Sequence, residues 1–344
     1  MITIENNQQY VYTLAHKIDK NANMVIVGNG NTDNFHKQLL YFDNIEDVEY
    51  VFGNSQLTDA FITAKSFGCK HIFLVNTVMK YDYIDITNIL MQYDFAYIVP
   101  INININDYFI NPHTDNKEYY VEYMSKQMNE SNNSCIVTTD KHATLFDDID
   151  NFISYTNNNS NIIFNRLNNQ SVDTTNLVYV ANNLYNYEFA NVVLAASLCS
   201  SKLNEYPNNN FGKSIFDIDE LDTRDMDFVF FQNNLNNTTI EHLFNLNRDN
   251  PLQKDLMINR IVTYIKRNLT FDEYIGTSYN GQQLITIKNK INNFLDKLVD
   301  AVLKEYYIKN IFLTKERVFV GNIVIELEII PIGHAESISV VIQN

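Results

Sequence analysis

Apolar residues in the first hundred positions fall into short blocks that switch between two periods. "MVIVG" (24–28) is a continuous apolar run of the kind found in a buried strand. "SQLTDAFITAKSFG" (55–68) places Leu57, Ala60, Phe61, Ala64 and Phe67 on one face of a helix, with Ser55 as its N-cap and Gly68 as its stop. "HIFLVN" (71–76) predicts a strand, "IDITNILMQY" (84–93) a helix and "FAYIVPI" (95–101) a strand. This alternation predicts a parallel sheet with right-handed crossovers.

The pattern continues less regularly. "EYYVEYMSKQM" (118–128) reads as a helix, while "SCIVTT" (134–139) and "NIIFN" (161–165) read as strands. "YEFANVVLAASLC" (187–199) is the most apolar helix of the chain. The Asn-rich runs "YTNNNSN" (155–161) and "YPNNNF" (206–211) read as surface loops, and 204–250 carries little regular structure.

The last ninety residues change character. "DLMINRIVTYIKRNL" (255–269) predicts a basic amphipathic helix. "GQQLITIKNKINNFLDKLVDAVLKE" (281–305) predicts one long helix with Leu284, Ile287, Ile291, Phe294, Leu298 and Val302 as its apolar stripe and Asn280 with Gln283 as a capping pair. In "RVFVGNIVIELEII" (317–330), Ile323, Ile325, Leu327 and Ile329 share one strand face. Pro331 and Gly333 break that strand, and "ESISVVIQN" closes the chain as another, with Ile338, Val340 and Ile342 alternating.

Charge narrows the partners. The net charge of −16 disfavours nucleic acid and acidic membrane surfaces. The N-terminus lacks the basic and apolar regions of a signal peptide, and no apolar run approaches the ~20 residues that span a bilayer. Three widely spaced cysteines, Cys69, Cys135 and Cys199, fit reduced, buried thiols in a cytoplasmic compartment. Between Lys254 and Arg317 stand 11 Lys/Arg and 7 Asp/Glu, which leaves −20 on the remainder. A basic C-terminal segment on an acidic chain suggests an acidic partner for that part.

Catalytic chemistry is not apparent. Gly28-Asn29-Gly30 begins like a dinucleotide loop, but Asp33 stands where the third glycine belongs, and no P-loop Lys-Ser/Thr follows. The expectation is a strand ending in a glycine turn; a nucleotide-binding α/β enzyme using 28–34 is the alternative. The seven histidines give no metal-ligand spacing, and His113 near Asp115 reads as a solvated loop. Asp147-Asp148 reads as a helix start, and Glu326/Glu328 as a solvated strand face rather than a catalytic dyad. No catalytic residue, cofactor or metal site is expected.

Two constellations remain. Lys290, Lys297 and Lys304 recur every seven residues, which on one helix makes a stripe beside the apolar face: a solvated face, or a docking ridge for an acidic partner. The β-prone ends, with Ile2, Ile4, Tyr10 and Tyr12 at one and Ile338, Val340 and Ile342 at the other, can tie into their own sheet or add to a neighbour's open edge.

The succession "MVIVGNG", "FDNIEDVEYVFGNSQLTDAFITAKSFGCKHIFLVN", "ITNILMQYDFAYIVP" and "VFVGNIVIELEIIPIGHAESISVVIQ" resembles the contractile phage tail sheath family, including the small sheaths of R-type bacteriocins. The likeness covers about 20–100 and 255–344. The N-terminal arm is short and lacks the Pro-Gly-Val-Tyr type of opening, and Phe67-Gly68-Cys69 replaces the usual glycine pair.

The resemblance implies an α/β (mixed α+β) fold: an outer α/β domain with a mostly parallel sheet, and a tube-proximal α+β domain with exchanged terminal strands. It implies an N-terminal arm and part of the tube-proximal domain at 1–20, the outer domain at 21–250, the tube-proximal domain at 251–334 and a strand arm at 335–344. Such a subunit forms stacked rings around a tail tube and contracts to drive the tube through the host envelope. Its energy comes from packing rather than nucleotide. Lys290, Lys297, Lys304, Lys266 and Arg267 become candidates for tube contact, and the seven terminal residues above for inter-subunit strands. The implied partners are further copies in a helical polymer, the tail tube protein, and baseplate and tail terminator proteins, in a virion assembled in the bacterial cytoplasm. Another tail or baseplate component with sheath-like domains is the nearest alternative.

Overall fold

The computed structural model describes residues 22–101, 103–111, 115–131, 134–170, 172–207, 210–216, 227–233, 238–240, 243, 245–246, 255–274, 281–317, 320–332 and 338–343. Ile2, Ile4, Tyr10, Tyr12, His113 and Asn280 therefore lie outside the described residues. The chain divides into two compact units. The first runs to Lys202 and takes in Tyr206–Leu256; the second comprises Leu203–Glu205 and the chain from Met257 onward.

The first unit is built on β1 (Asn23–Gly28), β2 (Leu39–Tyr41), β3 (His71–Asn76), β4 (Tyr97–Pro100), β7 (Cys135–Thr139) and β8 (Leu177–Val180). Their order is β2-β3-β1-β4-β7-β8, with only β2 antiparallel to its neighbour. The central strands are buried along their whole length, and mostly apolar, because both faces are covered. Helices α1 (Ile45–Phe52), α2 (Gln56–Ser66), α3 (Asp82–Leu90), α4 (Tyr120–Ser131), α5 (Ile149–Asn169) and α6 (Ala190–Ser200) do the covering. Val25, Val27, Phe73, Val75, Ile98 and Ile136 pack against Tyr83, Ile86, Leu90 of α3, Met124 and Met128 of α4, and Ile163 and Leu167 of α5. The other face meets α2 and α6, which also pack on each other. From Ala190 to Cys199 every residue of α6 is buried, the expected state of a helix apolar all round. Two small hairpins complete the unit, β5 (Tyr108–Ile110) with β6 (Lys117–Tyr119), and β9 (Phe231–Asn233) with β10 (Thr238–Ile240).

Local signals placed several ends correctly. Ser55 Oγ accepts the Thr58 N–H at 3.2 Å, and Gly68 adopts a φ of +85° just beyond α2. Asp148 caps α5 by accepting the Asn151 N–H at 2.8 Å. All three cysteines are buried, and none is in a disulfide.

The stretch 155–165 differs from expectation. It is neither loop nor strand but the middle of α5. Phe152, Ile153, Thr156, Asn159, Ser160, Ile163 and Leu167 form a buried helical stripe, and Asn159 Nδ2 donates to Asp140 Oδ2 at 3.0 Å. Tertiary burial of that stripe overrides the weak helix propensity of asparagine.

The second unit contains α7 (Leu256–Asn268), α8 (Gly281–Leu295), β11 (Leu303–Arg317), β12 (Val320–Pro331) and β13 (Ile338–Gln343). The three strands form an antiparallel sheet in that order. Ile258, Ile261 and Ile265 of α7 and Ile287, Ile291 and Leu295 of α8 share a core with Ile325, Leu327 and Ile329 of β12. The helix expected over 281–305 ends ten residues early. Val302 N–H and Leu303 N–H both donate to Leu298 O, and Asp300 takes a φ of +66°, so the chain turns. The aromatic and β-branched run "YYIKNIF" (306–312) then extends as β11. Leu298 and Val302 reach the same core from that turn rather than from a helical stripe.

Candidate assembly surfaces

The loop after β1 occupies the position where ligands bind in open α/β sheets, since β3 and β4 flank β1 on opposite sides and the strand order reverses there. Several of its donors are already engaged. The Gly30 N–H donates to Asn76 Oδ1 at 2.8 Å, and the Asn31 N–H to Asn29 Oδ1 at 2.7 Å. The Asn29 carbonyl accepts the Leu57 N–H at 3.3 Å. Asn76 also donates to the carbonyls of Thr32 and Asn34. A β-carbon on Gly30 would lie 2.5 Å from Phe52 Cδ1, so glycine is required here by close packing. The chain continues through turns into β2, not into a helix. The Gly30 and Asn31 N–H groups are therefore turned onto the protein's own side chains rather than outward.

The five basic candidates of the second unit do not form one stripe. Lys290 alone lies on α8; Lys297 follows the helix in the turn, and Lys304 is on β11. Lys290 contacts Glu273 and the Thr270 carbonyl, and its Nζ stands 5.1 Å from the Phe271 ring centroid. It is a tie within the unit. Lys266, Lys297 and Lys304 are exposed, whereas the neighbouring Arg267 is buried. The seven-residue spacing failed as a geometric signal because the helix stops at Leu295.

Strand β13 pairs with β12 of its own chain, opposing Ile338 to Ile329, Val340 to Leu327 and Ile342 to Ile325. Among the described residues the outer edges of β11 and β13 carry no partner strand. Such edges present unpaired backbone groups that accept another strand. On β12, Glu328 pairs with Lys309 across the hairpin, so the Glu326/Glu328 face is an ordinary polar sheet face.

Sequence reasoning did not find a cavity of about 470 Å³ in the first unit. Lys117, Tyr119, Glu122, Tyr123, Lys126 and Gln170 line it. Glu122 is 4% exposed and lies 2.9 Å from Arg166 Nε of α5. Burial raises its carboxyl to about 7 against the opposing pull of Arg166. The Arg166 guanidinium covers the Tyr119 ring at 3.6 Å, and Lys117 Nζ stands 3.9 Å from the Tyr108 ring centroid. A hydrogen bond from Lys117, with Arg166 nearby, lowers the Tyr119 hydroxyl below its ordinary value. The signal was present in "YYVEYM" (119–124), where one carboxylate interrupts an apolar run, and in the alternation of Tyr108, Phe109 and Ile110.

No protein-family model matches the chain, and no curated protein matches it. Solved structures do. The sheath tail protein of Listeria innocua superimposes with a TM-score of 0.64 at 10% identity, covering 98% of each chain. The sheath tail protein of Desulfitobacterium hafniense gives 0.63 at 11% identity, covering 94% of this chain and 96% of the other. The sheath of the extracellular contractile injection system PVC, in its contracted state, gives 0.58 at 13%, covering 92% and 90%. The chain thus has, over nearly its whole length, the mixed α/β fold of these sheath proteins, with its mostly parallel sheet.

Proposed function

We propose that this chain is the sheath subunit of a contractile tail, polymerising as stacked rings around a tail tube and contracting to drive the tube through a host envelope. The observation that carries this reading is the near-complete mutual coverage with sheath proteins, from the parallel α/β unit through the C-terminal antiparallel sheet. A shared single domain would not produce coverage of both units. The filled loop at 28–34 is consistent with a protein whose work is done by packing.

In this reading the first unit is the outer domain and the second is tube-proximal. The partners are further copies of the chain, the tail tube protein, and baseplate and terminator proteins. The site of action is the tail of a virion assembled in the bacterial cytoplasm. In this reading nucleic acid is not a partner and there is no stable membrane association. The terminal arms exchange strands between neighbours, with 338–343 moving from its own β12 to a neighbour's sheet. Lys266, Lys297 and Lys304 remain exposed candidates for the tube contact.

Negative-stain electron microscopy of the purified protein, alone and with its tube protein, tests the proposal. Striated hollow tubes of sheath width are the expected result. Small uniform particles under both conditions would overturn it.

A further inference from the structure

The first unit carries two unlike exposed surfaces on opposite faces of its sheet, one purely acidic and one that also carries lysines. Helix α1 packs on α2, which covers one face. The β5–β6 hairpin sends Phe109 into the core of the other face, beside α4 and α5. On the α1 side, residues 38–64 hold five acids and no Lys or Arg. Ile45, Glu46, Glu49 and Tyr50 are exposed there, and the spacing puts them on one side of the helix. Tyr50 is 87% exposed, an unusual state for a tyrosine on a regular helix.

On the hairpin side lies the cavity of about 470 Å³, large enough to take an aromatic side chain. Lys117 and Lys126 on its lining are exposed, and Tyr108 and Ile110 are each about half exposed on β5. Two of the acids beside the cavity are already engaged. Glu122 is paired with Arg166, and Glu118 accepts from Asn111 Nδ2 at 2.6 Å. Lys117 stands over the Tyr108 ring and Lys126 on α4, and both keep exposed surface on a unit that is otherwise strongly acidic.

We propose that the first unit docks head to tail onto a second copy of this chain. The α1 face of one copy seats on the hairpin–α4 cavity of the next, Tyr50 entering it while Glu46 and Glu49 meet Lys117 and Lys126. Two different patches meet, so the contact is heterologous and repeats without closing as an isologous pair would. This inference rests on the sheath reading and assigns it one specific lateral contact. Aromatic anchors in a pocket supply most of the affinity of such contacts, and opposed charges set their register.

Charge exchange tests it in the full-length chain. Variant one carries Glu46→Lys and Glu49→Lys; variant two carries Lys117→Glu and Lys126→Glu. Each alone is expected to raise the critical concentration for assembly by about tenfold or more; variant one leaves the melting temperature unchanged, while variant two lowers it through the lost Lys117–Tyr108 contact and is judged by its rescue on mixing. Mixed one to one, the two variants regain complementary contacts and are expected to co-assemble at near wild-type concentration. Tyr50→Ala, at a position too exposed to affect folding, is expected to weaken assembly alone. Wild-type tubes that persist in every variant would overturn this contact while leaving the sheath reading intact. Variants that fail to assemble even when mixed would overturn the charge pairing. A wild-type chain that stays monomeric with and without tube protein would overturn both readings.

Discussion

Arg166 Nε on α5 lies 2.9 Å from Glu122 Oε1 on α4, with the carboxylate buried and the guanidinium set over an aromatic ring. Glu122 Oε1 nevertheless receives no aligned hydrogen bond. Burial therefore dominates, and the carboxyl titrates near 7 instead of 4.5. The folded chain holds a proton that the unfolded chain has already released. Stability from this group is full below about pH 4.5, falls as pH rises toward 7, and is flat above that. The loss is on the order of 3 kcal/mol. Glu122→Gln is expected to flatten the fall in melting temperature between pH 5 and 8. Melts that keep the wild-type slope would place its origin in other groups.

Gly30→Ala is expected to destabilise the first unit by about 1–3 kcal/mol through overpacking. The new β-carbon would stand 2.5 Å from Phe52 Cδ1, and Phe52 is itself buried and edge-on to Phe42. Gly53→Ala provides the contrast. Nothing lies within 4 Å of that site, but its φ is +59°, so only the backbone is strained, at about 1 kcal/mol. Denaturant unfolding of both variants separates steric from conformational cost. Equal, small losses would refute the packing role of Gly30.

Asp82, the first residue of α3, is expected to act in the opposite pH direction from Glu122. Burial pushes its carboxyl up, but the Met79 N–H, His36, the Val78 N–H and Lys37 outweigh burial and hold it at about 2. The His36 Nε2 contact is 2.6 Å. The stabilisation is complete above pH 3.8 and is lost as pH falls through 2. Asp82→Asn should lower stability at pH 7 by about 2 kcal/mol and lessen the acid sensitivity of the unit. Acid titration of native fluorescence, compared between the two chains, reads this directly.

Much of this fold was legible because its signals are local. Val25 to Val27 could only be a buried strand, and Ser55 and Gly68 mark their helix by hydrogen bonding and by φ. The failures share a different cause. Asn159 and Ser160 look like loop residues until Asp140 and the core stripe are brought beside them by the sheet. Lys304 looks helical because Leu298 and Val302 keep helical spacing, although a turn delivers them to the same core. The Arg166 guanidinium reaches the Tyr119 ring from more than forty positions away, and no pattern within either segment announces the other.

The basic candidates of the second unit are expected to separate into two classes. Lys290→Glu removes the contacts with Glu273 and Phe271 and should lower the melting temperature of the chain. Lys297→Glu and Lys304→Glu, at exposed positions, should leave the melting temperature unchanged. If these two lysines face an acidic tube, their replacement weakens tube binding and makes the residual binding less sensitive to salt. Co-sedimentation with tubes across ionic strength checks this. Unchanged binding would return both to a solvated surface.

Deletion of 335–344 tests the terminal strand. In this structure β13 covers one edge of β12, while β11 covers the other along most of its length. Ile325, Leu327 and Ile329 remain packed by α7 and α8 whichever chain supplies the third strand. The shortened chain should therefore fold, with a modest loss of stability from the exposed edge. If the strand serves only its own sheet, assembly survives the deletion. If it is exchanged, the shortened chain stays monomeric, and a synthetic peptide of 335–344 added in excess to the intact chain suppresses polymer growth by filling the β12 edge. Sedimentation velocity distinguishes the outcomes, and normal polymer from the shortened chain would end the exchange proposal.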